Sequence, residues 1–499
     1  MTATPPQAGR FPSFTTVNFY AGSKLNRLSW LRTSTSFLNS TIASPSTRFV
    51  LLKNNNPLCH GGEGDNAGLL ATLSWDEVKP YILENVKLSG GLETDSEEAL
   101  VFGPQAYGLR NGNCEGADKD FSRATDGVGP NRLALVFLGI DESGLNATSL
   151  PGEMANDNSK DSDAANDNSP PAGVPYFALS LTYKPPFLSK NDPAPMAKLL
   201  DKLEAENQYD FMDLRASSRA ATWAQADAAI VAQAKSLIDW NERHIYCPGC
   251  SRQQYSLWAG YKRGCSSSLS TSTPGSDFSK AFLSNGIHQS FDQDGKGVCP
   301  STKVLSNFQY PRTDPVIIMA IISPDGEKVL LGRQKKWPGG FYSCLAGFCE
   351  PGESFEEAVR REVLEESGIQ VDQVIYHSSQ PWPYPTNLMA GFYGIAKSDD
   401  ESCIRLDLDN ELEDARFYTR GQILQVINRN DTTHFTRAEL EKLEKEHGTD
   451  EQQEGTKKNE KIEIRLPPET AIARVLVEAW AKGQAVLPTH MDKLQKTRM

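Results

Sequence analysis

Residues 347–369 read GFCEPGESFEEAVRREVLEESGI, a run of acidic residues bounded by glycines. Ser354 and Glu357 have the Ser-x-x-Glu spacing of a capping box, in which each side chain bonds the backbone N–H of the other residue. This spacing predicts a helix that begins at Ser354. Gly368 stands where such a helix would end, because glycine adopts the left-handed conformation of a C-cap without strain. The segment is therefore predicted to form a loop, one short helix and a second loop.

Three glutamates lie on one face of this predicted helix. Glu362, Glu365 and Glu366 are spaced i, i+3 and i+4, which brings their carboxylates together. Adjacent carboxylates repel and raise one another's pKa unless a cation lies among them. Mg²⁺ takes carboxylate, water and phosphate oxygens, so it suits such a site. The alternative is a solvated acidic face, but the flanking glycines and the position of Arg361 favour a metal site.

The whole pattern of residues 347–369, G-x5-E-x7-R-E-V-x-E-E-x-G-I, resembles the Nudix box. Enzymes with this box hydrolyse a nucleoside diphosphate that is linked to another group. The resemblance implies a C-terminal Nudix α/β/α sandwich and two or three catalytic Mg²⁺ or Mn²⁺ ions. It also implies that Arg361 holds Glu353 and fixes the loop of the box. A direct contact of Arg361 with phosphate is the alternative.

The composition indicates a chain of several domains. At 499 residues it can bury more than one core, and two to four domains are expected. The net charge of −13 argues against a protein that coats polyanions, although a local basic patch can still bind a phosphate. With no apolar run of about 18 residues, we expect neither a transmembrane helix nor a membrane partner. MTATPPQAGRFPSF at the N-terminus lacks the apolar core of a secretory signal.

Three polar tracts, at 142–174, 266–298 and 445–462, separate the foldable parts of the chain. The first is predicted to be a disordered loop, because it could bury too little apolar surface to offset its ordering entropy, and the other two, one Ser-rich and one charged, are predicted to be further insertions. The rest predicts an α+β multidomain chain with a β-rich N-terminal domain, a zinc ribbon and the Nudix sandwich. The predicted parts are an N-terminal domain at 1–215, a helix and zinc ribbon at 216–310, a Nudix domain at 311–485 and a tail at 486–499.

Apolar alternation predicts the elements around the box. Pro315–Gln334 is predicted to be a hairpin that turns at Pro324-Asp325-Gly326. Further strands are predicted at Val371–His377, Leu388–Ala396 and Asp414–Thr419, and helices at Ala216–His244 and Thr470–Lys482.

Nine cysteines, an odd number, fit a reducing compartment better than a disulfide framework. Cys247 and Cys250 form a C-x2-C knuckle, which presents two thiolates to one tetrahedral Zn²⁺, and Cys265 follows at a spacing usual for a zinc ribbon. The predicted fourth ligand is Cys299, beyond the second insertion; His288, inside that insertion, is the competitor. One structural zinc ion is the interpretation, and a redox-active or unligated C-x2-C is the alternative.

The segment Ser379–Met389 reads SQPWPYPTNLM, with prolines at alternate positions. Because proline lacks a backbone donor and fixes its own φ angle, we expect a stiff loop and not a central strand. Trp382 and Tyr384 could stack on a nucleobase or on nicotinamide. A loop that only packs against its own domain is the alternative.

SQPWPYP at this distance from a Nudix box resembles SQPWPFP, the signature of the NADH pyrophosphatase (NAD⁺ diphosphatase) family. Further family marks occur in the expected order: DWN at 239–241, YPRTDPV at 310–316, ELEDARFY at 411–418 and LPP at 466–468. Residues 18–32 resemble the N-terminal domain of fungal members. The likeness covers most of the chain outside the three insertions.

This resemblance implies roles for individual residues. The catalytic set is Glu365, Glu366, Glu362 and Arg361, with Glu365 either a metal ligand or the base. The ligands of Mg²⁺ or Mn²⁺ are the carbonyl of Ala346 with Glu362, Glu365, Glu366 and Glu411. The substrate contacts are Tyr310, Phe348, Gln380, Pro381, Trp382, Pro383, Tyr384, Pro385, Thr386, Asn387 and Ala473. Phe348 is a stacking ring or else a core residue, and Thr386 and Asn387 depart from the small residue and serine of the family.

The implied reaction is metal-dependent hydrolysis of NADH or NAD⁺ to AMP and NMNH or NMN. The alternatives are removal of an NAD cap from RNA by the same site, a catalytically silent NAD-binding module, and action on another diphosphate such as a diadenosine polyphosphate. A homodimer is expected from the likeness to dimeric relatives. Thr497-Arg498-Met499 differs from the Ser-Lys-Leu peroxisomal address by similar residues, so a cytoplasmic or peroxisomal location is expected.

Overall fold

The protein divides into two compact units. The computed structural model describes residues 16–88, 101–102, 132–144, 172–186, 188–215, 218–265, 299, 309–337, 340–429, 464–485 and 487. Unit 1 contains Met1–Gly22, Thr313–Trp382 and Asn387–Met499, and unit 2 contains Ser23–Arg312 and Pro383–Thr386. No helix within the described ranges is long and apolar enough to cross a membrane.

Several predictions from sequence concern residues outside the described ranges. The second and third insertions, most of the first insertion, His288 and Thr497-Arg498-Met499 all lie there. They stay predictions, as do the three boundaries between the four predicted parts of the chain.

Unit 2 contains the β-rich N-terminal region. Its strands are β1 Leu25–Asn26, β2 Arg48–Lys53, β3 Asn56–His60, β4 Thr72–Ser74, β5 Leu135–Asp141, β6 Val174–Ser180 and β7 Tyr209–Phe211. Its helices are α1 Thr35–Ile42, α2 Trp75–Leu88, α3 Ala197–Ala205 and α4 Gln225–Arg243. The strands form one sheet in the order β1-β5-β6-β2-β3-β7, with β4 paired to β2. Only β2 and β6 run parallel, among the pairs in this sheet.

The middle strands of this sheet are buried on both faces. Phe49, Leu51 and Phe177 pack with Val78 and Ile82 of α2 in one apolar cluster. Four successive residues of β2, FVLL, are fully buried, as continuous apolar strands are when both faces of a sheet are covered. The predicted β-rich N-terminal domain is therefore confirmed as a mixed α+β unit.

A small two-stranded sheet follows α4 within unit 2. It is formed by β8 Gln254–Leu257 and β9 Lys262–Cys265, which are antiparallel. The long helix α4 precedes it, so the helix predicted at Ala216–His244 begins nine residues later than expected. The first residues of that prediction instead include a short 3₁₀ turn at Ser218–Thr222.

Unit 1 contains the sheet that carries the acidic segment. Its strands are β10 Asp314–Ile322, β11 Lys328–Gln334, β12 Leu345–Phe348, β13 Val371–Trp382, β14 Asn387–Ala396 and β15 Leu412–Thr419. Its helices are α5 Phe355–Ser367, α6 Arg420–Asn428 and α7 Ile472–Ala481. The strand order is β13-β14-β10-β11-β15, with β12 paired to β10. The hairpin predicted at Pro315–Gln334 is confirmed by β10 and β11.

Helices cover both faces of this sheet. Ile317, Met319 and Ile321 of β10 pack against α5, because alternate residues of a strand point to the same face. The intervening Ile318, Ala320 and Ile322 pack with apolar residues of α6 and α7. The arrangement is an α/β/α sandwich, as predicted, and it holds α5 firmly against the sheet.

Candidate functional site

Helix α5 begins and ends as its sequence predicts. The Ser354 side chain accepts from the Glu357 N–H and the Glu357 carboxylate accepts from the Ser354 N–H, so the capping box is complete. Gly368 ends the helix with φ 73°, in the left-handed region that glycine adopts freely. The carboxylates of Glu362, Glu365 and Glu366 are thereby fixed along one rigid helix.

Glu366 is the buried member of this acidic group. It is 2% exposed, and within the described residues its carboxylate accepts no hydrogen bond. Burial raises the pKa of Glu366 to about 9, and the nearby Glu411 and Glu362 carboxylates add to the rise. A buried anion without a partner is costly, because its lost hydration is not replaced. A divalent cation at this position would replace that hydration.

Two further carboxylates share this environment. The pKa of Glu362 is raised by burial, with Glu365 and Glu411 adding to it against the opposing effect of Arg361. The pKa of Glu411 is raised by burial and by Asp409. Glu411 directly precedes β15 and accepts a 2.6 Å hydrogen bond from the Gln334 amide. The structure thus brings the downstream Glu411 to the acidic helix, where the sequence resemblance placed it.

Gly347 lets Glu362 approach the sheet. An ideal Cβ at Gly347 would lie 2.1 Å from Oε1 of Glu362, so a side chain at this position would force the Glu362 carboxylate to move. Gly347 is in β12 beside Ala346, whose carbonyl is the predicted backbone ligand, and Ala346 pairs with Ile318 of β10. The first glycine of the box is therefore required by a close approach of side chain to backbone.

Arg361 ties the loop before the helix to the helix itself. Its Nε and Nη2 donate to Oε1 and Oε2 of Glu353, at 2.6 and 2.8 Å, and Nη2 also donates to the Phe348 carbonyl at 2.9 Å. This bidentate pair lowers the pKa of Glu353 to about 2. Arg361 lies 2.9 Å from Glu362 and 3.0 Å from Glu365 as well. The predicted hold of Arg361 on Glu353 is present.

The donor set fits a hard divalent cation. Glu362, Glu366 and Glu411 supply carboxylate oxygens, and a buried unpaired anion is what such an ion stabilises. Glu365 is about half exposed and lies at the solvent side of the group. These carboxylates are less tightly gathered than the cysteines of unit 2, which form the one group of metal-ligand type with ligand atoms all within 4.8 Å in the described chain.

The four predicted zinc ligands form a cluster in unit 2. The sulfurs of Cys247, Cys250, Cys265 and Cys299 all lie within 4.8 Å of one another, and all four residues are buried. Tetrahedral Zn–S bonds of about 2.3 Å place sulfurs about 3.8 Å apart, and two of the sulfur pairs are at 3.3 and 3.7 Å. Cys299 therefore joins the knuckle across the second insertion, and the cluster could hold zinc.

The Pro-aromatic segment is a hairpin and not a loop over its whole length. Pro381 and Trp382 lie in β13 and pair with Leu388 and Asn387 of β14. The prediction of a loop over Ser379–Met389 was wrong, because β13 is an edge strand, where proline costs no ladder hydrogen bond. Within this segment, only the turn between the two strands, which carries Tyr384, lies outside the strand pairing.

Two predicted substrate contacts are buried within unit 1. Gln380 is 0% exposed; its amide donates to the carbonyls of Phe19 and Thr470, and its oxygen accepts from the Ile472 N–H. Both amide hydrogens are used, so Gln380 has a structural role, and its contact with substrate stays a prediction. Ala473, in the first turn of α7, is buried in the core.

The predicted aromatic contacts differ in their surroundings. Phe348 is 56% exposed, so the alternative of a core residue is excluded. Trp382 is partly buried. Tyr310 belongs to unit 2 and packs near Trp258, with ring centroids 5.8 Å apart.

The turn residues Pro383, Tyr384, Pro385 and Thr386 also group with unit 2. The Arg215 guanidinium lies 4.5 Å from the centroid of the Tyr384 ring, and the Lys235 ammonium lies 5.7 Å from it. Cations at these distances are attracted by an aromatic face. Tyr384 therefore presents a ring already in contact with basic groups, which the proline pattern did not predict.

Several residues that contact the predicted site residues could not be identified from the sequence. Gln334 holds Glu411, and Asn18 and Tyr20 contact the end of β13. Each acts on a residue tens to hundreds of positions away, so no local spacing could reveal the contact. The contact of Gln334 with Glu411 follows from strand pairing, because Gln334 lies opposite Leu412, the residue after Glu411.

The fold and the acidic helix define a Nudix-type hydrolase site, and comparison with known proteins agrees. The NUDIX domain matches residues 311–438, and the NADH pyrophosphatase-like rudimentary NUDIX domain matches residues 46–240. An NAD-capped RNA hydrolase of Schizosaccharomyces pombe is 31% identical over 467 residues, which cover 93% of this chain and 92% of that protein. The chain belongs to the Nudix hydrolase family, in the group with an NADH pyrophosphatase-like N-terminal domain.

Two human relatives carry different names. NAD-capped RNA hydrolase NUDT12 is 30% identical over 425 residues, covering 83% of this chain and 68% of that protein. NAD(P)H pyrophosphatase NUDT13, mitochondrial, is 30% identical over 285 residues, covering 57% of this chain and 62% of that protein. Both names describe proteins that act on NAD-type molecules.

Proposed function

We propose that the protein hydrolyses the diphosphate bond of an NAD-type dinucleotide in a metal-dependent reaction. The observation that carries this proposal is the buried carboxylate of Glu366, which lies with Glu362 on a rigid, fully capped helix and close to Glu411. The Glu366 carboxylate accepts no hydrogen bond within the described chain, and the group as a whole fits a divalent cation. The relatives' names and the aromatic hairpin support an NAD-type substrate.

The residues of the site have separate roles in this proposal, namely metal binding and proton transfer. Glu362, Glu366 and Glu411 would hold Mg²⁺ or Mn²⁺ together with the Ala346 carbonyl. When bound, these ions neutralise charge on the diphosphate and lower the pKa of a water molecule. Glu365, which is half exposed, would accept the proton of the attacking water.

Arg361 and Glu353 contribute by holding the site in one geometry. Their bidentate pair joins the loop to α5, and the bond from Arg361 to the Phe348 carbonyl joins both to β12. A preorganised group of ligands reduces the reorganisation needed when charge develops on the diphosphate. Phe348 and Trp382 of unit 1 supply rings for the nucleoside parts of the substrate, as the family resemblance implies.

Two substrate forms are candidates for this one reaction. With free NADH or NAD⁺ the products are AMP and NMNH or NMN. With NAD at the 5′ end of an RNA, water cleaves the same bond and leaves NMN and an RNA with a 5′-monophosphate. The second form is favoured by the names of the Schizosaccharomyces pombe protein and of human NUDT12, and the first by that of NUDT13.

The test is product analysis with each substrate and each metal. NADH, NAD⁺ and an NAD-capped RNA are incubated with the protein and Mg²⁺ or Mn²⁺, and AMP, NMN and 5′-monophosphate RNA are measured. Release of AMP from the free dinucleotides, abolished in Glu366→Gln, supports the proposal. If the wild-type protein and Glu366→Gln are equally inert on all three substrates, the chain is a silent binding module. The ratio of kcat/KM for capped RNA and NADH decides which substrate is preferred.

Three further expectations are proposed with this function. The cysteine cluster holds one structural Zn²⁺, to be counted by elemental analysis. The chain forms a homodimer, to be tested by light scattering. It is cytoplasmic or peroxisomal, and deletion of Thr497-Arg498-Met499 would abolish a peroxisomal location if that sequence directs it.

A further inference from the structure

The most N-terminal described residues pack on the sheet of unit 1. Contacts group Met1–Gly22 with the Nudix sheet, whereas the chain from Ser23 onward groups with unit 2. A tight turn forms here, closed by a 3.0 Å hydrogen bond from the Ala21 N–H to the Asn18 carbonyl. We call residues 18–21 the N-terminal turn. A segment this far from the box in sequence is therefore part of the unit that carries the site.

The N-terminal turn is fixed to the edge strand β13. The Asn18 amide donates to the Ser378 hydroxyl at 3.0 Å and to the Ser379 carbonyl at 2.8 Å. The Gln380 amide donates back to the Phe19 carbonyl at 3.0 Å. Asn18 is 3% exposed, so these bonds are shielded from water. Three consecutive residues of β13 are thus bonded to the turn.

The same bonds reach the start of α7. Besides Phe19, the Gln380 amide donates to the Thr470 carbonyl at 2.8 Å, and its oxygen accepts from the Ile472 N–H at 2.9 Å. Gln380 is fully buried at the junction of the turn, the edge strand and α7. The end of β13 is therefore held from two sides, just before the strand reaches Trp382.

Tyr20, the next residue of the turn, contacts the ring of Trp382. Tyr20 is buried, and its ring meets that of Trp382 edge-on, with centroids 6.4 Å apart and an interplanar angle of 79°. This arrangement is favourable for aromatic pairs. The backbone of Tyr20 has φ 67°, a left-handed conformation that is strained for a bulky residue. Strain of this kind persists where the surrounding contacts require one side-chain position.

We propose that the N-terminal turn is a positioning element for the substrate site, with Tyr20 as the positioning residue that orients the Trp382 ring. This inference rests on the proposed function, because it takes Trp382 to contact the dinucleotide. Tyr20 acts through Trp382 and not on the reacting atoms. Its loss should therefore weaken substrate binding and leave the chemical step nearly unchanged.

Steady-state kinetics of the full-length protein test this with three variants. Tyr20→Ala should raise KM for NADH about tenfold and change kcat less than about twofold. Tyr20→Phe keeps the ring and should restore KM to within about twofold of wild type. Tyr376→Ala is the matched control, since it removes a tyrosine ring from the exposed part of the same strand. The double variant Tyr20→Ala/Trp382→Ala should be no worse than Trp382→Ala alone.

Hydrogen exchange without substrate separates this proposal from the proposed function. Tyr20→Ala should speed amide exchange over residues 378–382 more than over α5, whether or not the wild type releases AMP. Faster exchange there in Tyr20→Ala, restored in Tyr20→Phe, supports the positioning role. Unchanged exchange and KM in Tyr20→Ala, or equal effects of Tyr376→Ala, would overturn it. An inactive wild type with altered exchange in the variant would refute only the proposed function.

Discussion

The two large sheets of the molecule have the same strand order, apart from the additional strand β1 in unit 2. In unit 2 the order β5-β6-β2-β3-β7, with β4 on β2, matches β13-β14-β10-β11-β15, with β12 on β10, in unit 1. The parallel pair occupies the same place in each, β2 with β6 and β10 with β14. Helix α2 follows β4 as α5 follows β12. The helix on one sheet carries the three glutamates of a candidate metal site, and the matching helix on the other sheet does not.

The difference lies in one buried polar residue on each helix; α5 also buries Ser367, whose hydroxyl donates to the Val363 carbonyl. On α2 it is Asn85, 3% exposed, whose amide donates to the carbonyls of Tyr81 and Pro195. On α5 it is Glu366, which is charged when ionised and finds no donor among the described residues. A satisfied neutral amide stabilises a fold, whereas an unpaired carboxylate calls for a cation. The two units therefore share a topology, and a few side chains determine whether a metal ion can bind.

The largest expected effect concerns the cysteine cluster of unit 2, the candidate zinc site. Cys299→Ser should abolish zinc binding and destabilise the protein by several kcal/mol, because a structural zinc site contributes directly to folding. Elemental analysis and thermal unfolding measure both quantities. Cys403→Ser, at an exposed thiol, is the control and should change neither. A variant at Cys299 that keeps its zinc would show that unit 2 does not depend on this metal.

Gly347→Ala tests the approach of α5 to its sheet. The added methyl must displace the Glu362 carboxylate, so AMP release should fall about a hundredfold while the protein stays folded. Gly421→Ala in α6 is the matched control, because no atom lies within 4 Å of an ideal Cβ there. The control should keep full activity and gain up to about 1 kcal/mol in stability. Equal activity of the two variants would contradict the role of Gly347.

Asn85→Asp places a carboxylate on the helix of unit 2. It should lower the free energy of unfolding by about 2 kcal/mol at neutral pH, because two carbonyls would face an anion. Burial would raise the pKa of the new carboxyl above its unfolded value of about 3.9. The loss of stability is therefore absent at low pH, and it grows as the pH rises toward the pKa of the new carboxyl in the folded protein.

Denaturant unfolding of Asn85→Asp and wild type at pH 5 and pH 7.5 measures this dependence. The difference in stability between the two proteins should be larger at pH 7.5. AMP release should be unaltered once both are folded. A penalty that does not change with pH would mean that the new carboxyl ionises normally.

Glu84→Gln gives the smallest effect. Glu84 pairs with Lys198 at 2.5 Å on the exposed side of α2, and such surface pairs contribute about 0.5 kcal/mol or less. Stability should change by no more than this amount, and activity should not change. A large loss of AMP release would mean that α2 has a part in catalysis, and the contrast between the two helices would fail.

Local patterns in the sequence predicted the parts of this protein that depend on neighbouring residues. The capping box at Ser354, the C-cap at Gly368 and the hairpin of β10 and β11 depend on fixed short spacings, and the structure confirms them. The cluster of four cysteines was predicted by joining Cys299 to the knuckle across the second insertion. The carboxylates of α5 follow from helical periodicity alone.

Features that depend on long-range pairing could not be predicted in the same way. The repeated strand order leaves no repeat in the sequence, because strand pairing requires apolar alternation and not particular residues. The hairpin at Pro381 was expected to be a loop, since only the sheet order shows that β13 is an edge. The burial of Gln380 and the contact of Tyr20 with Trp382 join residues far apart in the chain.

We expect Glu366, buried on α5, to bind a divalent metal ion in unit 1, whereas Asn85 on the matching helix of unit 2 binds none. Titration of the metal-free protein with Mn²⁺, followed by calorimetry, tests it most directly. Wild type and Glu84→Gln should bind Mn²⁺ equally, and Glu366→Gln should lose at least one site or about a hundredfold in affinity. Equal Mn²⁺ binding by Glu366→Gln and wild type would contradict the account.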